Sequence, residues 1–123
     1  MGHRYLEMEI ATARPEALVV RLLQRALDKV REALARGDVA RMRALGQAID
    51  ILAELRRALD LQAGGELAAN LDRLYEFAAD RLISAAVTRE SGALEEALRA
   101  LEPIMEAFAA IAVAQPAASG GAA

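Results

Sequence analysis

The chain has no cysteine and only one histidine among its 123 residues. The lack of cysteine excludes a disulfide framework, a thiolate nucleophile and a cysteine-ligated metal, and it fits a reducing compartment. A di-metal centre inside a helical bundle needs inward carboxylates together with Glu-x-x-His pairs. The single histidine, His3, lies near the start of the chain and is interpreted as a surface residue. We therefore expect no metal and no cofactor.

Other kinds of site are missing as well. The sequence offers no Ser–His pair for nucleophilic catalysis, and its Gly64-Gly65 pair falls between two predicted helices instead of after a strand. No stretch approaches the roughly 18 uncharged apolar residues that a membrane span needs, and the first residues lack the apolar core of a signal peptide. The 15 basic residues are interspersed with 18 acidic ones, so no basic block marks a nucleic-acid surface. We expect a cytosolic protein that is not an enzyme and takes no small-molecule substrate.

The chain is rich in alanine and leucine. Hydrophobic residues make up 55% of it, whereas aromatic residues make up 3%, and alanine and leucine are strong helix formers. Apolar residues recur at spacings of three and four, which is the period of one helix face. Four such segments joined by short turns predict an all-α fold, an antiparallel up-down four-helix bundle.

Local signals set the boundaries of the first two helices. The first helix is predicted to begin near Pro15, because proline is favoured at the first helical position. Gly37 is predicted to end it in a left-handed cap. Asp38 is then expected to cap a second helix over residues 39–61.

Glycines also mark the predicted helix boundaries in the second half of the chain. Gly64-Gly65 separates the second helix from a third one that runs to Val87, and Ser91-Gly92 precedes a fourth. The predicted organisation is an N-terminal arm over 1–14, a bundle over 15–113 and a disordered tail over 114–123.

The second helix carries two neighbouring apolar stripes. Leu45 and Leu52 are assigned to the core, whereas Ile51 and Leu55 belong to the second stripe and are predicted to line a groove for a partner. Surplus apolar surface on a soluble protein often marks a partner site. A wide stripe is equally typical of a tight core edged by alanine, and the pattern alone leaves both interpretations open.

A set of short motifs occurs in a fixed order along the chain. They are Thr12-Ala13-Arg14-Pro15-Glu16-Ala17-Leu18, Gly37-Asp38, the run from Ala48 to Leu55 with Leu59-Asp60, Gly64-Gly65-Glu66-Leu67-Ala68 with Asn70-Leu71 and Leu74-Tyr75, Arg81-Leu82, and Leu101-Glu102-Pro103-Ile104. In this order and spacing they resemble the flagellin export chaperone family (the FliS family) over about residues 5–112. The most specific part runs from Gly64 to Tyr75. The chain departs from the usual family residues at Arg14, Leu23, Ala86 and Phe108.

The resemblance implies a cytosolic chaperone that binds the disordered C-terminal segment of flagellin. Such a protein prevents premature polymerisation of flagellin and assists its type III export, with the flagellar export gate as a further partner. It also implies a four-helix bundle with an N-terminal cap. The client is expected to wrap around the bundle, partly as helices on its apolar surface.

The candidate protein-binding residues follow from this resemblance and from the apolar stripes. They are Tyr5, Ile10, Ile51, Leu55, Asn70, Leu71 and Tyr75. Asn70 is either a client contact or a helix-edge residue bonded to the backbone. Tyr75 is expected to seat its ring in the bundle and to point its hydroxyl group outward. The competing hypotheses are a generic helical adaptor, a secretion chaperone for another client, and a small helical enzyme or metal protein.

Overall fold

The computed structural model describes residue 8 and residues 10–114 of the chain. Over this part the protein is all-α and contains no β-sheet. Its four long helices are α1 (Glu16–Ala35), α2 (Asp38–Arg57), α3 (Gly65–Val87) and α4 (Ala93–Ala114). The predicted number of helices and the predicted fold class are therefore confirmed. Residues 1–7 and 9 of the predicted arm and residues 115–123 of the predicted tail lie outside the described part.

The four helices form an antiparallel ring in which each packs against two neighbours. The packed pairs are α1 with α2, α2 with α3, α3 with α4, and α4 with α1. Ion pairs join neighbouring helices on the outside of the ring. Arg56 of α2 lies 2.8 Å from Asp72 of α3, and Arg31 of α1 lies 2.7 Å from Glu102 of α4. Exposed pairs of this kind each contribute about 0–1 kcal/mol, so the helices are held mainly by their apolar faces.

Leucine and alanine fill most of the core, as the composition predicts. The largest fully buried side chains are Tyr75, Phe108, Leu23, Leu27, Leu45, Leu52, Leu82, Leu101, Ile111, Val19 and Val30. Full burial of one such side chain stabilises the fold by about 1.5–3 kcal/mol. Alanines at 0% exposure lie between them and let the helices approach closely, among them Ala26, Ala48 and Ala78.

The turn between α1 and α2 differs from the prediction. Gly37 is extended, with φ −116° and ψ 168°, so the predicted left-handed cap is wrong. The left-handed conformation falls instead on Asp38, with φ 47°, and Asp38 is the first residue of α2. The N-cap position belongs to Gly37, which has no side chain to form a capping hydrogen bond, so the predicted cap by Asp38 is wrong.

The second helix is shorter than predicted. It ends at Arg57 instead of continuing to residue 61. Ala58, Leu59 and Asp60 leave the helix because their backbone groups pair with the N-terminal arm. The Ala13 amide donates to the Ala58 carbonyl at 2.8 Å, and the Asp60 amide donates to the Ala11 carbonyl at 2.9 Å. A contact distant in sequence thus ends a helix that local periodicity would continue.

The predicted orientation of Ile51 and Leu55 is wrong. Their exposed fractions are 8% and 2%, and they pack in the same core as Leu45 and Leu52. The physical reason is the ring arrangement. Because α2 packs against both α1 and α3, it buries an arc wide enough to contain both apolar stripes.

One arginine ties together two helix ends. Arg41 of α2 donates from Nη1 to the Ala33 carbonyl at 3.2 Å and from Nη2 to the Ala85 carbonyl at 3.4 Å. Both carbonyls belong to the last turn of a helix, where backbone acceptors lack intrahelical partners. A positive side chain also suits the negative end of a helix dipole. Arg41 therefore links the carboxyl ends of α1 and α3, which lie diagonally across the ring.

Candidate functional site

A stripe of large side chains faces outward along α3. Its residues are Leu67, Asn70, Leu74 and Phe77, and their spacings of three and four place them on one side of the helix. Leu74 and Phe77 are 40% and 44% exposed. Leu67 is half-buried against the core, and Asn70 is exposed. The stripe thus combines exposed apolar surface with one polar side chain.

The stripe borders α4. One turn beyond Phe77, Arg81 bonds to Glu96 of α4 at 3.2 Å and also pairs with Glu90. Antiparallel spacing from Glu96 then sets small side chains opposite the stripe. In order along α4 they are Ala100, Pro103, Ala107 and Ala110, all half-buried or exposed. Large residues on one wall and small ones on the other define what we call the α3–α4 groove.

The N-terminal arm is docked at one end of this groove. Thr12 forms an antiparallel bridge with Leu59, and Ala11 is fully buried. The next residue outward, Ile10, is 41% exposed. Together with Ala63, Gly64, Glu66 and Leu67 it lines a hollow of about 250 Å³. Because Leu67 also begins the stripe on α3, the arm and the groove share a boundary.

Gly64 makes this docking possible. A Cβ atom at position 64 would lie 2.6 Å from Ala11 Cα, 2.7 Å from Ala68 Cβ and 2.7 Å from the Asp60 carbonyl oxygen. Real Cβ atoms do not approach other atoms so closely. Its φ of −82° is open to any residue, so the requirement for glycine comes from close contacts with the arm, the turn and α3, and not from backbone conformation. Gly65, by contrast, has φ +55°, which favours glycine for conformational reasons.

The predicted binding residues fall into separate places. Ile10 and Asn70 lie on the surface along the α3–α4 groove. Leu71 and Tyr75 are 4% and 1% exposed and belong to the core, as Ile51 and Leu55 do. Tyr5 lies outside the described residues. A role for any of these seven residues in binding a partner stays a prediction.

Asn70 has a local partner. Arg73, one turn further along α3, donates from Nη2 to the Asn70 side-chain oxygen. The amide therefore stays at the surface with its nitrogen turned away from that contact. The Asn70 side-chain oxygen therefore accepts a hydrogen bond from Arg73 and not from the backbone, as was predicted for a helix-edge residue.

Tyr75 is buried more deeply than predicted. Its ring lies in the bundle, but at 1% exposure its hydroxyl group does not reach the surface, so the outward pose is wrong. Removal from water disfavours the charged phenolate, and burial therefore raises the pKa of Tyr75 above 10.0, its ordinary value. At neutral pH the side chain is an uncharged part of the core.

The groove contains two exposed residues, Leu74 and Phe77, that are not among the predicted binding residues. The spacing from Asn70 to Leu74 and Phe77 could have identified the stripe, because it matches one helix side.

Neither a metal centre nor a membrane-spanning helix is found in the described part of the chain. They contain no group of three or more histidine, aspartate and glutamate side chains placed to hold a metal ion. None of the helices in this part of the chain is long and apolar enough to span a membrane. The arrangement defines a class of protein, a small helical bundle with exposed apolar side chains between α3 and α4.

Comparison with known proteins gives the family. A family model described as Flagellar protein FliS matches residues 1–115. The chain belongs to this family. It is 39% identical over 97 residues to the flagellar secretion chaperone FliSB of Pseudomonas aeruginosa, covering 74% of this chain and 75% of the relative.

Two further relatives carry similar names. The flagellar secretion chaperone FliS of Salmonella typhimurium is 36% identical over 108 residues, which are 84% of this chain and 80% of the relative. The protein of the same name in Vibrio cholerae is 26% identical over 107 residues, which are 84% of this chain and 79% of the relative. The resemblance found in the sequence motifs is thus confirmed.

Proposed function

We propose that this protein is a cytosolic flagellar secretion chaperone without enzymatic activity. It binds the disordered C-terminal segment of flagellin, prevents premature polymerisation and assists type III export. Membership of the FliS family and the names of the relatives support the role in flagellar secretion. The structural observation that carries the proposal is the α3–α4 groove, with Leu74 and Phe77 exposed along one helix side.

The groove suits a client that folds as it binds. Spacings of three, four and three residues from Leu67 to Phe77 match the anchor pattern of an amphipathic helix lying in an apolar groove. The small side chains of α4 leave room for large client residues opposite Phe77 and Leu74. Ordering a disordered client offsets part of the contact energy. The resulting moderate affinity allows release of the client at the export gate.

The predicted binding residues take two roles in this proposal. Ile10 and Asn70 flank the apolar anchors and contact the client directly, with Tyr5 of the arm as a further contact. Ile51, Leu55, Leu71 and Tyr75 lie beneath the surface and support the helices that carry it. Leu74 and Phe77 are two further anchors in this proposal, which their exposure supports.

The test is titration calorimetry with a synthetic C-terminal flagellin segment. We expect one-to-one binding with unfavourable entropy and a negative heat-capacity change. Phe77→Asp places a charge in the groove and should weaken binding at least tenfold, or about 1.4 kcal/mol. Val87→Asp is the matched control. Val87 is 76% exposed and is the last residue of α3, away from the groove. This variant should leave the affinity unchanged.

The outcomes separate the competing hypotheses. No heat with the flagellin segment, together with no retention of full-length flagellin in a pull-down, would favour an adaptor or a chaperone for another client. If Phe77→Asp and Val87→Asp change the affinity for the flagellin segment equally, flagellin is the client but does not bind in the α3–α4 groove. Metal bound in stoichiometric amount to the purified protein would favour the metal-protein hypothesis.

A further inference from the structure

We infer that α4 carries a recognition site for a cationic side chain of the client, formed by the Arg99 carbonyl and the Glu106 carboxylate on either side of Pro103. The inference rests on the proposed function, because it concerns how the α3–α4 groove selects its client. Pro103 is exposed on the α4 wall of that groove. The ligand of this site, which we call the cation site, is an arginine or lysine of the client segment.

Pro103 leaves a backbone acceptor without its usual donor. It lies inside the 22-residue helix α4, where proline is the least favourable residue. Its ring nitrogen has no hydrogen to donate to the carbonyl four residues earlier, and its ring pushes that carbonyl aside. The carbonyl belongs to Arg99. Because Arg99 and Pro103 are both exposed, the acceptor lies at the surface.

Glu106 adds a negative charge beside this acceptor. It follows Pro103 by three residues, which is about 4.5 Å along the helix axis and on the same side of α4. Its side chain is exposed and forms no salt bridge with another residue in the described part of the chain. Helical side chains lean towards the N-terminus of their helix, so the Glu106 carboxylate leans back towards Pro103 and the carbonyl beside it.

A carbonyl and a carboxylate in this arrangement suit a cation. Neither group can donate a hydrogen bond at neutral pH, whereas an arginine carries five N–H donors and a lysine carries three. One such side chain can therefore bond to both oxygens, and its charge strengthens the bond to Glu106. The side chain of Arg99 is badly placed for this role, because it leans towards Glu95 and away from Glu106.

The charge of this half of the bundle favours the same ligand. Residues 65–114, which include α3 and α4, contain nine acidic and four basic residues, a net charge of −5. Residues 16–57, which include α1 and α2, contain six acidic and nine basic residues, a net charge of +3. The groove therefore belongs to the negative half of the protein, which attracts basic segments over acidic ones.

The experiment is titration calorimetry of the synthetic C-terminal flagellin segment with the full chain and its variants. Pro103→Ala restores an N–H group that bonds to the Arg99 carbonyl within the helix. It should raise the midpoint of thermal unfolding by a few degrees and yet weaken binding at least about threefold. Glu106→Gln should also weaken binding at least about threefold. Glu95→Gln is the matched control, with the same charge change at an exposed position of α4, and should leave the affinity unchanged.

A second segment tests the identity of the ligand. In this segment methionine replaces every arginine and lysine, which keeps unbranched side chains but removes the cationic donors. The unmodified protein should bind it at least about threefold more weakly than the original segment. Pro103→Ala and Glu106→Gln should then change its affinity no further, because the side chain that they affect is missing.

The results separate the cation site from the proposed function. If the original segment binds but Pro103→Ala is folded and binds it as tightly as the unmodified protein, the proline only shapes the helix and the cation site is wrong. If Pro103→Ala does not fold, the comparison of Glu106→Gln with Glu95→Gln and the comparison of the two segments decide, and equal affinities in either one overturn the inference. No binding of the original segment to the unmodified protein would overturn the proposed function, and the cation site with it.

Discussion

At the scale of single residues, Tyr75 has the clearest chemical consequence. Its phenol lies in the bundle interior, and burial raises its pKa above 10.0. The unfolded chain ionises this group near pH 10.0, whereas the folded chain keeps it neutral. The stability contributed by the neutral phenol is therefore fully present below that pH and is lost as the pH rises beyond it.

Replacement of Tyr75 by phenylalanine should remove this pH dependence. Thermal melts between about pH 8 and pH 11 should show a steeper loss of stability for the unmodified protein, by up to about 1.4 kcal/mol per pH unit above pH 10. The Tyr75→Phe variant lacks the ionisable group and keeps the same ring. Parallel curves for the two proteins would mean that the hydroxyl is accessible to water in the folded state.

Leu55 shows how burial changes the effect of a substitution on stability. Because it is 2% exposed, Leu55→Asp should unfold the bundle by placing an unpaired charge in the core, with a loss of more than about 3 kcal/mol. Leu61→Asp is the control, since Leu61 is 57% exposed, and should change stability by less than about 0.5 kcal/mol. Circular dichroism melts distinguish the two. If the Leu55→Asp protein stays folded, Leu55 lies at the surface and not in the core.

At the scale of elements, the arm depends on one small residue. Gly64→Ala adds a Cβ atom within 2.7 Å of Ala68 Cβ and the Asp60 carbonyl, so the backbone of the arm or the turn must shift. Overpacking of this kind costs about 1–3 kcal/mol. We expect faster hydrogen exchange at the Ala13 amide, which donates to the Ala58 carbonyl. Gly37→Ala is the matched control, because a Cβ atom at that position meets nothing within 4 Å.

The same variant tests whether the arm covers the client site or belongs to it. Arm and groove share Leu67 as a boundary. If the arm competes with the client, loosening it raises flagellin-segment affinity, because less protein is held closed. If the arm contacts the client, affinity falls. Deletion of residues 1–10 should change the affinity for the flagellin segment in the same direction as Gly64→Ala.

Much of the element structure could be predicted from sequence, because the signals are local. Apolar periodicity predicted all four helices, and Gly64-Gly65 predicted the start of α3. The end of α2 could not be predicted in this way, because Ala58 to Asp60 pair with residues more than 40 positions earlier in the chain. The site was only partly predictable for a related reason. The exposure of Leu74 and Phe77 depends on how α3 packs against α2 and α4, which local periodicity does not show.

At the scale of the whole molecule, the bundle separates two outward surfaces on either side of α3. Arg81 and Glu96 bound the groove towards α4, whereas Arg56 and Asp72 join the opposite side of α3 to α2. The core between them is continuous. The proposed client groove therefore lies on the α4 side of α3, apart from the side that faces α2.

The hydrogen bonds of Arg41 couple the local opening of two distant helix ends. Its guanidinium holds the carbonyls of Ala33 and Ala85, which belong to helices that are not neighbours in the ring. Fraying of either end releases a hydrogen bond of the same side chain. The terminal amides of α1 and α3 should therefore exchange with solvent deuterium as one correlated unit, and Arg41→Met should accelerate both sets together. Local opening at this end of the bundle is in this sense cooperative across its diagonal.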